Sequence, residues 1–160
     1  MFRLSRLVPP ERTPGLARQL LRLRGQVVTF GTSRQYWVER NIPTTHPISR
    51  VLKQPKVQRL VHDLTHSRNL RTVAWSNYYR PGQQIPWHAD KSGALQIILL
   101  LSDSGPGQGS LLLQSLAGPR KIALNRGDAI LFDAVRLPHR TTPPRIGKSR
   151  HTVAIRYFPL

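Results

Sequence analysis

Ala94-Leu95-Gln96-Ile97-Ile98-Leu99-Leu100-Leu101 contains the longest unbroken apolar run in the chain, Ile97 to Leu101. A run this short cannot span a bilayer, which needs roughly eighteen apolar residues, and it suits a strand buried on both faces. Working outward, Gly105-Pro106-Gly107 breaks the run on one side and Pro81-Gly82 marks a turn on the other. Further strand-like runs are Thr72 to Tyr79, Ile85 to Asp90, Ser110 to Leu113, Lys121 to Leu124, Ala129 to Phe132 and Arg150 to Phe158. Gly118-Pro119, Asn125-Arg126-Gly127 and Pro143-Pro144 supply the remaining turn signals. Short strands separated by Gly, Pro and Asn predict a mainly β, jelly-roll type of core.

The first part of the chain reads differently. Thr13 is positioned to cap a helix beginning at Pro14, with Leu16, Leu20 and Leu23 on one face and Arg18 and Arg22 on another. Val27 to Phe30 and Gln35 to Val38 read as strands around a Gly31-Thr32-Ser33 turn, and Asn41 to Ser49, with Pro43 and Pro47, as loop. A second helix is expected from Pro55 to about His66. The 160 residues suit one domain, with 1–70 as a helical, substrate-recognition front and 71–160 as the β core.

Lys and Arg number 25 against 7 Asp and Glu, a net charge of +18, and twenty of the basic residues are Arg. The excess is spread along the chain, so a polyanionic partner is expected, nucleic acid first. The chain has no cysteine, which excludes disulfides, zinc ribbons and thiolate nucleophiles and leaves His, Asp and Glu as metal ligands. Met1-Phe2-Arg3-Leu4-Ser5-Arg6 is Arg-rich and acid-poor like a transit peptide, but no apolar signal core follows. The expected location is the cytoplasm, with an organelle as the alternative.

His88 and Asp90 stand two apart in a strand-like run, which puts both side chains on one face. His139, after a Gly127-Asp128 turn and the apolar strand 129–132, is expected at a strand end facing His88 across a barrel. Two imidazoles and one carboxylate form the facial triad of non-haem Fe(II) oxygenases. Arg150 and Arg156 share parity on the last strand, roughly 20 Å apart at 3.3 Å per residue, so two inward guanidiniums would leave a gap suited to a small dicarboxylate such as 2-oxoglutarate. Asn77 and Tyr79 share parity on the strand leading to the metal pair and could add hydrogen bonds.

These segments together resemble the AlkB-type Fe(II)/2-oxoglutarate dioxygenases: Asn77-Tyr78-Tyr79-Arg80-Pro81-Gly82, Ile85-Pro86-Trp87-His88-Ala89-Asp90, His139 with Pro143-Pro144, and Arg150 through Arg156. Thr29-Phe30-Gly31, Tyr36, Ile42-Pro43 and Pro47-Ile48 resemble that family's substrate-recognition front. The resemblance implies a double-stranded β-helix. It implies Fe(II) on His88, Asp90 and His139, 2-oxoglutarate on Asn77, Tyr79, Arg150 and Arg156, and molecular oxygen as cosubstrate. It further implies oxidative demethylation of alkylated bases, the chemistry of DNA repair, with single strands the easier substrate. Tyr36 and Trp37, adjacent aromatics in a basic region, are the candidate base-stacking residues.

Two other readings stay open. Leu101-Ser102-Asp103 through Gly109-Ser110-Leu111-Leu112-Leu113 looks more like prolyl-hydroxylase-type relatives, which act on peptides or small molecules. Lys91-Ser92-Gly93 and Thr152 stand where the dealkylases carry acidic residues and Asn. Charge alone would also suit a non-enzymatic basic nucleic-acid-binding protein, which has no need of the triad. His62 and His66, four apart on a helix, lack a third ligand and read as surface residues. No Gly-x-Ser-x-Gly elbow or phosphate-binding glycine loop is present.

Overall fold

The computed structural model describes residues 1–29, 36–67 and 69–160. Its strands are β1 (Phe2–Leu4), β2 (Gln26–Thr29), β3 (Tyr36–Asn41), β4 (Leu70–Tyr79), β5 (Leu95–Leu100), β6 (Leu111–Ser115), β7 (Gly118–Ile122), β8 (Ala129–Phe132), β9 (His139–Thr141) and β10 (Arg150–Pro159). The helices are α1 (Thr13–Leu21), α2 (Pro47–Leu52) and α3 (Pro55–Thr65). Seven strands form one antiparallel sheet in the order β1-β8-β5-β10-β4-β3-β2, and β7-β6-β9 form the second. This is the expected jelly roll, mainly β with helices on one side.

The apolar run of β5 is buried on both faces for a definite reason. Ile97, Leu99 and Leu101 join Leu131, Val153, Ile155 and Tyr157 beneath the helices, where Leu16, Leu20, Val57 and Val61 cover them. Ile98 and Leu100 point the other way, into the space between the sheets, with Leu111, Leu113, Ile130 and Phe132. β10 alternates instead: Val153, Ile155 and Tyr157 enter the helix-side core, while Arg150, Thr152, Ala154 and Arg156 line the space between the sheets. The alternation of β10 therefore distinguishes a wall of the core from a wall of the site.

The Arg-rich start is structural. β1 pairs with β8, Arg3 Nη2 donates to Asp128 Oδ2 at 2.5 Å and the Arg6 amide donates to Asp128 Oδ1 at 2.8 Å. Burial opposes the Asp128 charge, but these donors and the Asn125 amide outweigh it and hold the carboxyl below its usual range. Next to it, Gly127 adopts φ +85, and a Cβ there would lie 2.1 Å from the Val8 carbonyl oxygen. Gly127→Ala is expected to cost about 2 kcal/mol or more, because left-handed strain and a backbone clash coincide. A lowered urea midpoint with unchanged secondary structure would show it.

Several expectations are corrected. Residues 47–49 are helical: Pro47 occupies the first turn of α2, where its missing N–H costs nothing, and His46 Nδ1 accepts from the Ile48 amide at 3.2 Å. Thr13 is no cap, since it lies inside α1, fully buried, with its hydroxyl donating to the Pro10 carbonyl at 2.8 Å. Residues 85–90 form no regular strand among the described residues; only His88 makes a ladder contact, an isolated bridge to His139. Pro86 lacks the donor that a longer ladder needs. Gly118-Pro119 open β7 instead of forming the turn, with Pro119 on an edge strand that tolerates its missing N–H. The Gly31-Thr32-Ser33 turn lies outside the described residues.

Candidate metal centre

His88 and Asp90 reach the site from the irregular segment between β4 and β5, and His139 opens β9. The His88 amide donates to the His139 carbonyl at 3.1 Å and the His139 amide to the His88 carbonyl at 2.8 Å. The histidines are thus bridge neighbours, with ring centroids 4.2 Å apart, and do not face one another across the barrel as expected. The Asp90 amide is tied to the Ala134 carbonyl at 2.9 Å, which fixes the turn that presents the carboxylate. One ligand atom from each of the three residues lies within 4.8 Å of the others, and this is the one such cluster among the described residues.

The imidazole orientation suits a cation. Nδ1 of His88 contacts the Pro86 carbonyl at 2.9 Å and Nδ1 of His139 the Leu137 carbonyl at 3.0 Å. A carbonyl only accepts, so Nδ1 carries the proton and Nε2 keeps the lone pair on the ligating side. Burial, followed by the nearby His88, lowers His139 to about 4, so it stays neutral across the physiological range. Burial raises the Asp90 carboxyl, opposed first by Arg156 and then by His88. A carboxylate that desolvation penalises gains from a divalent cation beside it. The donor set therefore fits Fe(II).

All four residues expected to hold 2-oxoglutarate line one pocket of about 210 Å³ together with the triad. They do not behave alike. Arg150 is buried, 3% exposed, stands opposite Tyr79 in the β10–β4 register and donates from Nη1 to the Gly109 carbonyl at 3.1 Å. Burial lowers its guanidinium to about 10, and no carboxylate pairs with it among the described residues. Asn77, opposite Thr152, buries a side-chain oxygen that has no partner among the described residues, and burial raises the Tyr79 hydroxyl among Thr141 and Thr152. Arg156 lies at the metal end, forming an ion pair with Asp90 and donating to Gln96 Oε1 from Nε at 3.2 Å and from Nη2 at 3.0 Å. The two arginines thus play different electrostatic parts.

Gln96 was not singled out by sequence reasoning, and Gly93 was noted only as part of Lys91-Ser92-Gly93. Gln96 is the lone polar residue inside the β5 run, a signal that the strand meets a polar site there. Gly93 has φ +101, and a Cβ would approach the Arg156 side chain to 2.9 Å, so its absence leaves room for the arm that reaches Asp90. Glu39 also lines the pocket, two residues from Trp37 on β3. Trp37 is buried, 6% exposed, and lines the same pocket, so it does not stand as an exposed stacking surface. The Tyr36 side chain lies outside the described residues. Trp75 lines the pocket beneath Arg156, and Trp87 lies beneath Arg140.

His151 lies on the opposite side of β10, edge-on to the Tyr78 ring at 5.7 Å, and its Nε2 has no partner among the described residues. Burial, then the Arg40 charge, lowers it from 6.5 to about 4. Above pH 6.5 it is neutral folded or unfolded. Between 6.5 and 4 only the unfolded chain takes the proton, so stability is lost as pH falls, by about 3 kcal/mol once both limits are passed. His151→Phe should remove about that much of the acid-side loss in urea titrations at pH 7 and pH 4.

A scan of family models finds no match for the chain, and a search of curated proteins finds none. Solved structures do match. A Pseudomonas putida prolyl-4-hydroxylase superposes with a TM-score of 0.82 at 14% identity, over 99% of this chain and 92% of that one. SnoN, a non-haem α-ketoglutarate-dependent epimerase from nogalamycin biosynthesis, gives 0.80 at 14% identity, over 98% of this chain and 77% of that one. HygX from Streptomyces hygroscopicus, with nickel and 2-oxoglutarate bound, gives 0.79 at 14% identity, over 99% and 82%. The chain therefore has the double-stranded β-helix fold of these oxygenases.

Proposed function

We propose that the protein is an Fe(II)- and 2-oxoglutarate-dependent dioxygenase. The observation that carries this reading is one pocket holding both a two-histidine, one-carboxylate cluster and Arg150, a buried cation that no carboxylate pairs with among the described residues. His88, Asp90 and His139 would hold iron, and Arg150, with Tyr79 and Asn77 beside it, would receive the far carboxylate of 2-oxoglutarate. When bound, iron and 2-oxoglutarate supply the oxidation of a substrate C–H bond by molecular oxygen, coupled to conversion of 2-oxoglutarate to succinate and carbon dioxide. The chain's part is positioning. The Pro86 and Leu137 carbonyls orient the imidazoles, Arg156 steers the Asp90 carboxylate, and Ile85, Ile98 and Leu111 line the pocket with apolar surface that limits water.

The test is direct. Protein loaded with Fe(II) without oxygen and then aerated should consume oxygen and form succinate only when 2-oxoglutarate is present. Failure to bind either Mn(II) or 2-oxoglutarate would overturn the reading.

For the substrate, hydroxylation of a peptide or small molecule is the reading that the likeness to the prolyl-4-hydroxylase supports. Oxidative demethylation of alkylated nucleic-acid bases is supported by the +18 charge and its arginine dominance. Formaldehyde released together with succinate from methylated single-stranded oligonucleotides would select the second. Succinate coupled to a gain of one oxygen on a peptide or small molecule would select the first.

A further inference from the structure

The pocket contains two carboxylates, Glu39 and Asp90, and three guanidiniums, Arg140, Arg150 and Arg156. Each guanidinium already has a neighbour: Arg156 pairs with Asp90, Arg150 donates to the Gly109 carbonyl, and Arg140 stacks 5.1 Å from the Trp87 ring centre. Glu39 makes no ion pair among the described residues, in a chain with 25 basic side chains. Its direct hydrogen-bond donor is Gln26 Nε2, at a long 3.4 Å. The Trp37 side chain and, through space, the Arg156 charge favour its ionised form, and neither gives it an ion pair.

The backbone puts this carboxylate on the wall of the pocket. Glu39 is opposite Asn77 in the β3–β4 register, and Asn77 is opposite Thr152, so the row across the sheet runs from the wall proposed for 2-oxoglutarate to Glu39. Trp37 shares its face on β3, and Trp75 lines the pocket from β4. Burial is the largest influence on Glu39 and raises it, so the group gains by meeting a positive partner. A carboxylate flanked by indoles is a chemical complement to an organic cation.

We infer that Glu39 is a specificity-determining residue that selects a small-molecule substrate bearing an ammonium or guanidinium group, seated against Glu39 and Trp37. This deepens the oxygenase reading and rests on it.

The test compares n-butylguanidinium with its uncharged near-isostere n-butylurea, titrated into full-length protein holding Mn(II) and 2-oxoglutarate, with intrinsic tryptophan fluorescence as the readout. Wild type should bind the cation at least about tenfold more tightly than the urea, as expected for loss of one charge-assisted hydrogen bond. Glu39→Gln should bind the two probes alike, and Glu39→Lys should disfavour the cation. Should Glu39→Gln fail to fold, the wild-type comparison still decides. Equal binding of both probes by wild type, or a preference retained in a folded Glu39→Gln, would overturn the inference. So would binding of neither probe together with binding of an oligonucleotide carrying 1-methyladenine, whose charged ring would point to nucleic acid. Mn(II) and 2-oxoglutarate binding, read in the same samples by electron paramagnetic resonance and calorimetry, keeps the questions apart. If they bind and the preference is missing, only this inference fails; if they do not bind, the oxygenase reading fails.

Discussion

Asp90→Ala is expected to lower divalent-metal affinity by more than about 100-fold and to remove 2-oxoglutarate turnover with it, because even outer-shell changes at such sites cost 10- to 100-fold. The Asp90 carboxylate supplies the one negative charge of the cluster, and its burial makes that charge costly unless a cation answers it. Removing it also leaves Arg156 without its anionic partner, so the polar arrangement at the metal end is lost along with the ligand. Asp90→Asn separates the two effects. It keeps the shape and a hydrogen-bond acceptor for Arg156 but not the charge, and should bind Mn(II) nearly as poorly as the Ala variant. Metal affinity equal to wild type in the Asn variant would remove Asp90 from the ligand set.

Arg150→Met is expected to move two quantities in opposite directions. Affinity for 2-oxoglutarate should fall by roughly 10- to 100-fold, the range for losing hydrogen bonds to a charged group. The ligand-free protein should become more stable. Burial depresses the Arg150 guanidinium from 12.5 to about 10, which represents about 3 kcal/mol of unfavourable burial, while the single bond to Gly109 returns only part of that. Methionine fills a similar volume without a charge. A net gain of up to about 2 kcal/mol by urea unfolding, with weakened 2-oxoglutarate binding by calorimetry, is the expected pair. A variant that loses stability and keeps its affinity would mean that Arg150 is a structural cation.

The elements that were legible in the sequence are those whose pattern is local and long enough to show itself. β4, β5, β8 and β10 lie within a residue or two of the runs 72–79, 94–101, 129–132 and 150–158. β1 and β9, at three residues each, are too short for any periodicity, and each exists because a partner strand supplies its hydrogen bonds. α2 was obscured by prolines that read as loop but sit where a helix accepts them. The triad was legible from His-x-Asp and a distant His, although the stated reason, alternation along a strand, does not describe the irregular segment that carries the pair. Gln96 was visible as a polar interruption and passed over. Glu39 gave no local sign, since its place in the pocket depends on which strand lies beside β4.

The amino-acid sequence by itself determined the β-rich pattern, the absence of thiol chemistry, the strong positive charge and the residue types, two histidines, an aspartate and two arginines among them, that the fold gathers in one pocket. Only the tertiary structure decided which charge meets which. Arg150 and Arg156 have the same residue type and the same parity on one strand, yet Arg156 lies beside Gln96 and reaches Asp90, while Arg150 lies beside Tyr79 and meets no carboxylate among the described residues. Those pairings follow from the register of β10 against β4 and β5, contacts between residues 52 to 89 positions apart in the chain. Side-chain spacing along a strand is a local property of the backbone, whereas electrostatic partnership is set by long-range packing.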